Sequence, residues 1–407
     1  MRAPPLTGLR VVEVSAFVAA PLAGALLAEL GADVVRVDPP GGGIDRGRWP
    51  SHAGRSLYWI GLNQGKRSVN VDMRTIAGQS LVADLIVAAG ACVTNLADAS
   101  WLAYERLRRR RPDLIMVVIS GNADGSIAVD YTVNAAVGFP WVTGPQDHGG
   151  PVNHVFPAWD VTAAHTAVTA FLAAELERVR TNEGSFARIS LADAALSTAA
   201  HLGIFAEAQL VPEPRGRYGN YVFGTYGRDF ATADGRYVMV VALTRRQWRS
   251  LISATETSAA ITDLERRVGA DLESEDARWK HREEISAIIA PWVQQRTLAE
   301  VGGQFERLGV LWGPYRTFQQ LMAEDPRAST SNPMFAEVEQ PGIGNVLTTG
   351  SPIFFDGAGR SPARAAPDMG QHTRDVLSQW LGMSATELDQ LTASGTIFTA
   401  DSLDRDR

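Results

Sequence analysis

The first 120 residues alternate between short apolar runs and Ala/Leu-rich stretches. Residues 9–15 (LRVVEVS) are short, β-branched and apolar, which predicts a buried strand. Pro21 falls in the first turn of the helix that follows, where no backbone N–H is needed, and Gly31 stops that helix after Leu30. Residues 32–38 (ADVVRVD) make a second strand. Strand, helix, strand within about 30 residues is a βαβ unit and predicts a parallel sheet. The alternation continues with a strand at 67–72, a helix at 78–89, a short strand at 92–95 and a strand at 114–120 (LIMVVIS). A polar, Gly-rich stretch follows at 121–157, then the longest predicted helix at 160–180, a turn (TNEGS), a strand at 187–191 and a helix opened by Asp193.

The pattern then changes. Residues 211–227 (VPEPRGRYGNYVFGTYG) hold Pro, Gly and Tyr with no period, as a linker does. Residues 230–243 read as a hairpin turning at Asp234-Gly235, and helical segments follow to about Leu308. Residues 325–367 are rich in Pro and Gly, and 369–391 are helical. The predicted organisation is a large α/β domain (1–205) with a Rossmann-like parallel sheet, a linker (206–227), a smaller α+β domain (228–320) and a return segment to the large domain (321–407).

Composition narrows the function classes. Hydrophobic residues make 45% and charged residues 20% of the 407 positions, so the chain can bury a core and is not of the disordered class. Net charge is −7, without the basic face of a nucleic-acid binder. Cys92 is the single cysteine, which excludes an intrachain disulfide and a Cys-rich zinc framework and fits a reducing cytoplasm. The apolar stretch 16–28 is interrupted by Pro21 and too short to span a bilayer, so neither a membrane segment nor a signal peptide is expected.

Candidate chemistry is sparse. The histidines form no tight metal-ligand pattern, no G-x-G-x-x-G follows the first strand, and no G-x-S-x-G elbow is present, so no metal and no dinucleotide are expected. Residues 61–68 (GLNQGKRS) resemble the end of a P-loop but have three residues between the glycines and Arg67 where Ser or Thr belongs. Lys66 and Arg67 on this turn are either phosphate-holding cations or a solvated basic turn. The run Arg108 to Arg111 reads as a solvated helix end. Asp160 precedes the longest helix, where its plain role is N-cap; a carboxylate, ionised at neutral pH with a free pKa near 3.9, is also a possible covalent nucleophile.

Taken together, the opening (LTGLRVVEVSAFVAAPLAGALLAELGADVVRVDPPGGGIDR), NQGKRSVNVD at 63–72, the Asn95 turn, LIMVVISG at 114–121, Asp234-Gly235 and GQHT at 370–373 resemble family III CoA-transferases. The resemblance covers nearly the whole chain. Segments 15–21 (SAFVAAP), 130–134 (DYTVN), 152–160 (VNHVFPAWD), 226–230 (YGRDF) and 332–344 (NPMFAEVEQPGIG) are similar to an isomerase branch that moves CoA between the C1 and C4 carboxyls of mesaconyl-CoA.

The resemblance implies an interlocked homodimer with an acyl-CoA substrate, CoA arriving as part of that substrate rather than as a resident cofactor. It puts the family's nucleophilic aspartate on Asp160 and CoA contacts on Ala19, Lys66, Arg67 and Asn95. Pro39 and Ala103 stand where relatives have CoA-binding arginines, so Arg36, Arg67 or the arginine run are the candidates to compensate. Tyr131, Asn134, His154 and Arg228, in the isomerase-like segments, are candidates to hold the substrate's second carboxylate; Trp159 reads as packing. Racemases of the family pair a histidine with the aspartate, and Val129 at the corresponding place counts against racemisation. Intermolecular CoA transfer to a separate acid stays open beside the intramolecular reaction.

Overall fold

A computed structural model describes residues 2–96 and 99–400; the last seven positions of the expected return segment lie outside the described residues. The chain divides into two compact units. The first comprises 1–137, 154–209 and 325–407, and the second comprises 138–153 and 210–324.

The first unit is built in βα steps. Its elements are β1 (Arg10–Val14), α1 (Ala19–Glu29), β2 (Asp33–Asp38), α2 (Leu57–Asn63), β3 (Arg67–Val71), α3 (Ile76–Ala89), β4 (Ala91–Thr94), β5 (Ile115–Ser120), α4 (Asp130–Ala136), α5 (Ala158–Thr181), β6 (Ser185–Ser190) and α6 (Leu191–His201). Near the chain end, β7 (Ile397–Phe398) closes the sheet. The sheet order is β7-β3-β2-β1-β4-β5-β6, with every neighbour parallel except the β7–β3 pair. Strands covered on both faces read as continuous apolar runs. Val12, Val14, Val35, Val37, Val69 and Val71 meet Leu81, Leu85 and Ile86 of α3 in one core, joined by Val376, Leu377 and Trp380 from the returning segment. The core is thus assembled from both ends of the chain.

Two charges interrupt that apolar sheet. Glu13 of β1 lies beside Arg36 of β2 in the parallel register, and both are buried. A buried charge persists only when it is paired. Arg36 is bound to Asp38, Asp45, Asn63 Oδ1 and the Ser15 carbonyl; Glu13 takes the Lys66 ammonium at 2.7 Å. Gly24 of α1 is required by this cluster, because a Cβ there would overlap the Glu13 carboxylate.

The second unit has a three-stranded antiparallel sheet, Leu311–Pro314, Tyr237–Ala242 and Tyr226–Ala231, covered by helices Arg245–Ala254, Ser258–Val268, Arg282–Gln294 and Leu298–Leu308. The expected turn holds Gly235 at φ 70°. Segment 138–153, expected within the large domain, belongs to this unit: the Arg217 guanidinium donates to the carbonyls of Pro140, Trp141 and His148. The expected linker at 206–227 begins inside helix Ile204–Leu210 and ends on the first strand of this unit. Residues 325–367 contain an antiparallel hairpin, Phe335–Gln340 with Gly344–Thr349, that the Pro/Gly content concealed.

Candidate active site

The order β3-β2-β1-β4-β5-β6 reverses direction between β1 and β4. In open α/β sheets the crevice outside the carboxyl ends of the strands at such a switch point is the usual ligand site. The loops leaving β1 and β4 meet there. The Asn95 amide accepts from Ala16 N–H at 3.0 Å and donates to the Ala16 carbonyl at 2.7 Å. This double bond pins a turn in which Phe17 adopts φ 67°, a left-handed conformation that is rare for a bulky residue. Strained backbone held by a side chain from the neighbouring strand is a mark of a functional loop. Ala19 follows directly as the first residue of α1.

The same end of the sheet receives the N-terminus of α5. Helix α5 connects β5 to the parallel strand β6, so it runs back across the sheet and starts at the carboxyl ends. Its first turn contains Asp160. Contrary to the N-cap role expected of it, Asp160 is the third helical residue, after Ala158 and Trp159, and Pro157 is the cap residue. Pro157 has no side-chain acceptor to offer. The open N–H groups of Trp159 and Asp160 are taken instead by Asp130 Oδ2 of α4, at 2.6 and 3.1 Å. Four residues on, and so on the same face of α4, Asn134 accepts the Trp159 indole N–H at 3.2 Å. His154 Nε2 lies 3.0 Å from Asp130 Oδ1, and the Tyr131 ring stands edge-on to the His154 ring with centroids 6.2 Å apart.

Asp160 is half-buried, and its carboxyl is pushed up to about 7 by burial and by the neighbouring Asp130 charge, against the pull of Arg48. The helix start favours the ionised form, but burial and the second carboxylate outweigh it. The expectation of an aspartate fully ionised at neutral pH is therefore corrected. Arg48 is exposed, with its guanidinium 4.9 Å above the Tyr58 ring and 5.9 Å from the Phe17 ring. Tyr58 senses the Asp160 charge in turn: burial first, then Asp160 among its neighbours, holds its phenol above the ordinary range. Phe17, Arg48, Tyr58, Asp130, Tyr131, His154 and Asp160 therefore form one site at the carboxyl end of the sheet. A half-buried carboxyl that titrates near neutrality, beside a guanidinium, can serve as a proton acceptor or a nucleophile.

The other expected contacts are distributed differently. The buried Lys66 ammonium donates to the Pro21 carbonyl at 2.7 Å and Asn63 Oδ1 at 2.9 Å and lies 2.7 Å from Glu13 Oε2 as an ion pair. Burial brings Lys66 down to about 8, against the pull of Glu13. In this structure it is buried and pairs Glu13 beneath the β1–α1 turn. Arg36 is saturated inside and does not replace a missing CoA-binding arginine. Arg67 reaches Asp33 at 3.0 Å and Gln379 at 2.9 Å on the far side of the βα turn. In the arginine run, Arg110 pairs with Asp84, and Arg111 binds Asp113 and the Val87 carbonyl. Asn134 is buried and serves Trp159. Arg228 is in the second unit, donating to Tyr221 Oη at 3.0 Å and stacked over Tyr221 and Phe230. Among the described residues no cluster of three His, Cys, Asp or Glu side chains could hold a metal ion. No described helix is long and apolar enough to cross a membrane.

The sequence profile of CoA-transferase family III matches residues 6–373. The chain belongs to CoA-transferase family III. This family III CoA-transferase is 48% identical over 402 residues to 2-methylfumaryl-CoA isomerase of Chloroflexus aurantiacus, covering 97% of this chain and 98% of that protein. It is 28% identical to the succinyl-CoA–D-citramalate CoA-transferase of the same organism, covering 97% and 98%. The structure of a CAIB/BAIF family protein from Brucella suis matches with a TM-score of 0.78 at 24% identity, over 93% of this chain and all of that one, and so shares its fold.

Asp130, Arg48 and Tyr58 were not singled out by sequence reasoning. Asp130 fell inside a segment quoted only for its likeness to the isomerase branch. Arg48 and Tyr58 carry no spacing signal, because they reach Asp160 from separate loops and helices.

Proposed function

We propose that this family III CoA-transferase moves CoA between the C1 and C4 carboxyls of 2-methylfumaryl-CoA (mesaconyl-CoA), with Asp160 as the covalent nucleophile. The observation that carries the substrate is the likeness to 2-methylfumaryl-CoA isomerase over the full length of both chains. The support for Asp160 is its half-buried carboxyl in the first turn of α5, at the switch-point end of the sheet.

Each half-reaction is an acyl transfer. The Asp160 carboxylate attacks the thioester carbonyl; the C–S bond breaks and CoA leaves as the thiolate, giving a mixed anhydride. The thiolate then attacks the aspartyl carbonyl of the anhydride, forming an aspartyl–CoA thioester and freeing the substrate as a dicarboxylate. The dicarboxylate turns end over end. Its other carboxylate attacks the aspartyl thioester, and the released thiolate closes on the new acyl carbon, returning Asp160 as a carboxylate. No step needs a metal or a redox group. Splitting the transfer in this way replaces one difficult step by several reversible ones. The carboxylate that is idle in each half needs a cation. Arg48, stacked on Tyr58 and exposed beside Asp160, is that cation in this reading, with Tyr131 and His154 completing the wall.

We further propose a homodimer acting in a reducing cytoplasm. Helix α5 supports the dimer: Ala163, Ala167 and Phe171 face inward, while Leu172, Leu176 and Val179, at a spacing of four and three, form a second apolar face that is exposed.

The test is turnover of C1-linked 2-methylfumaryl-CoA in the presence of isotopically labelled free 2-methylfumarate. Unlabelled C4-linked product, formed at the same rate without added acid, is expected. Label in the product, or turnover only with added acid, reassigns the enzyme to intermolecular transfer.

A further inference from the structure

Asp130 is a carboxylate that the reaction above does not use. It is 2% exposed, yet three donors converge on it. Oδ2 accepts the N–H groups of Trp159 and Asp160, and Oδ1 meets His154 Nε2 at 3.0 Å. A carboxylate oxygen only accepts, so a bond to the Asp130 carboxylate uses a hydrogen on His154 Nε2. One side chain thereby fixes the backbone that carries Asp160 and the face that His154 presents.

A helix cap alone does not call for such a group. Six other α-helices are capped by a neutral hydroxyl at the local cap position, Ser56, Thr75, Ser190, Thr244, Thr297 and Ser384, and the carboxylate that also meets the start of helix Leu298–Leu308, Asp234, is exposed rather than buried. A buried carboxylate brought from another helix costs desolvation that Ser or Thr avoids. Its distinguishing effect is its charge. A carboxylate next to a second carboxylate is harder to ionise and, once ionised, more basic. The groups that act on the Asp160 charge are few. Asp130 faces it from α4, Arg48 from the loop after β2 and Tyr58 from α2. Helix α1, packed along α5, has no acidic residue in its first turn, and Asp193 and His201 of α6 do not enter Asp160's surroundings.

We propose that Asp130 is a positioning residue for the transfer reaction: it locks the first turn of α5 and the His154 ring, and its charge makes the neighbouring Asp160 carboxylate a stronger nucleophile. The proposal rests on the reading of Asp160 as nucleophile. The carboxylate pair trades the fraction of enzyme that is ionised at low pH for reactivity in the fraction that is.

The experiment is the pH profile of kcat and KM for Asp130→Asn, Asp130→Ser and Asp130→Glu. Asn and Ser keep an oxygen for the helix N–H groups and remove the charge, so one still informs if the other fails to fold. In both, the acid limb of the profile moves to lower pH by on the order of one unit. The plateau kcat falls about tenfold while KM stays within about threefold, since nucleophilicity and not binding is altered. Asp130→Glu keeps the charge and leaves the limb near its wild-type position. A neutral variant whose limb stays in place overturns the proposal and reduces Asp130 to a cap. Failure of the underlying reading looks different: Asp160→Asn would retain turnover, and the limb would then belong to another group.

Discussion

At the residue scale, the proposed chemistry turns on one carboxyl kept from ionising easily. Burial, then the Asp130 charge, raise Asp160 to about 7. In the proposed mechanism only the carboxylate attacks, so kcat/KM is expected to rise with pH through that value and to stand about tenfold below the plateau at pH 6. The same shift has a stability cost of defined sign. The carboxyl binds its proton more tightly folded than unfolded. Its contribution to stability is therefore full below pH 4 and lost as pH rises through 7. Asp160→Asn removes that loss. The variant's advantage over the parent, read from denaturant midpoints, grows between pH 4 and 7 by about 2 kcal/mol, discounted for partial exposure, and is flat above. An advantage that shrinks with pH would contradict the shift. Arg48 is tested by Arg48→Gln: KM for the dicarboxyl-CoA rises by roughly tenfold or more while the protein melts as before, because an exposed side chain is lost. Arg48 was hidden from sequence reasoning because nothing in RGRWP marks it, whereas Lys66 was conspicuous but is buried. Its glycine-flanked turn suggested exposure, but the acid that draws it inside sits in the middle of an apolar strand.

At the element scale, legibility followed hydrophobic pattern. Strand β5 is a run of Ile, Met and Val, β1 and β2 are Val runs interrupted only by Glu13 and Arg36, and the helix–strand alternation between them dictated a parallel sheet. Hairpin Phe335–Gln340 with Gly344–Thr349 was missed because its strands carry Glu and Asn among few apolar residues, and β7 because two residues show no period. The start of α5 was misplaced by two residues, since Asp before a helix is the commoner cap and the real acceptor lies on α4. The switch-point turn is an element whose shape depends on contacts from elsewhere. Gly24→Ala would push α1 against the Glu13 carboxylate and its Lys66 partner. It is expected to destabilise the protein by about 2–4 kcal/mol, the range for disturbing a buried ion pair. A denaturant midpoint unchanged from wild type would show that α1 can shift without cost.

At the scale of the whole molecule, one chain passes twice through the same core. Residues 6–373 fall within the family pattern, and the helix Thr373–Leu381 returns Val376, Leu377 and Trp380 against β3 and α3. The outward apolar face of α5 and the exposed Phe205 and Leu210 of helix Ile204–Leu210 are the surfaces available to the proposed dimer. Light scattering on the purified protein is expected to give twice the 43.8 kDa of the chain, and a monomer at micromolar concentration would rule the dimer out. Composition had excluded several classes, and only the resemblance of scattered segments pointed to CoA transfer. No spacing rule connects Asp160 to a thioester.

The central claim is that Asp160 becomes acylated. The most direct measurement is to react the enzyme with 2-methylfumaryl-CoA, quench with hydroxylamine, digest, and locate the modified peptide by mass spectrometry. The account predicts a hydroxamate on Asp160 alone, absent from Asp160→Asn. Full turnover with no adduct at Asp160, or an adduct on another carboxylate, would contradict it.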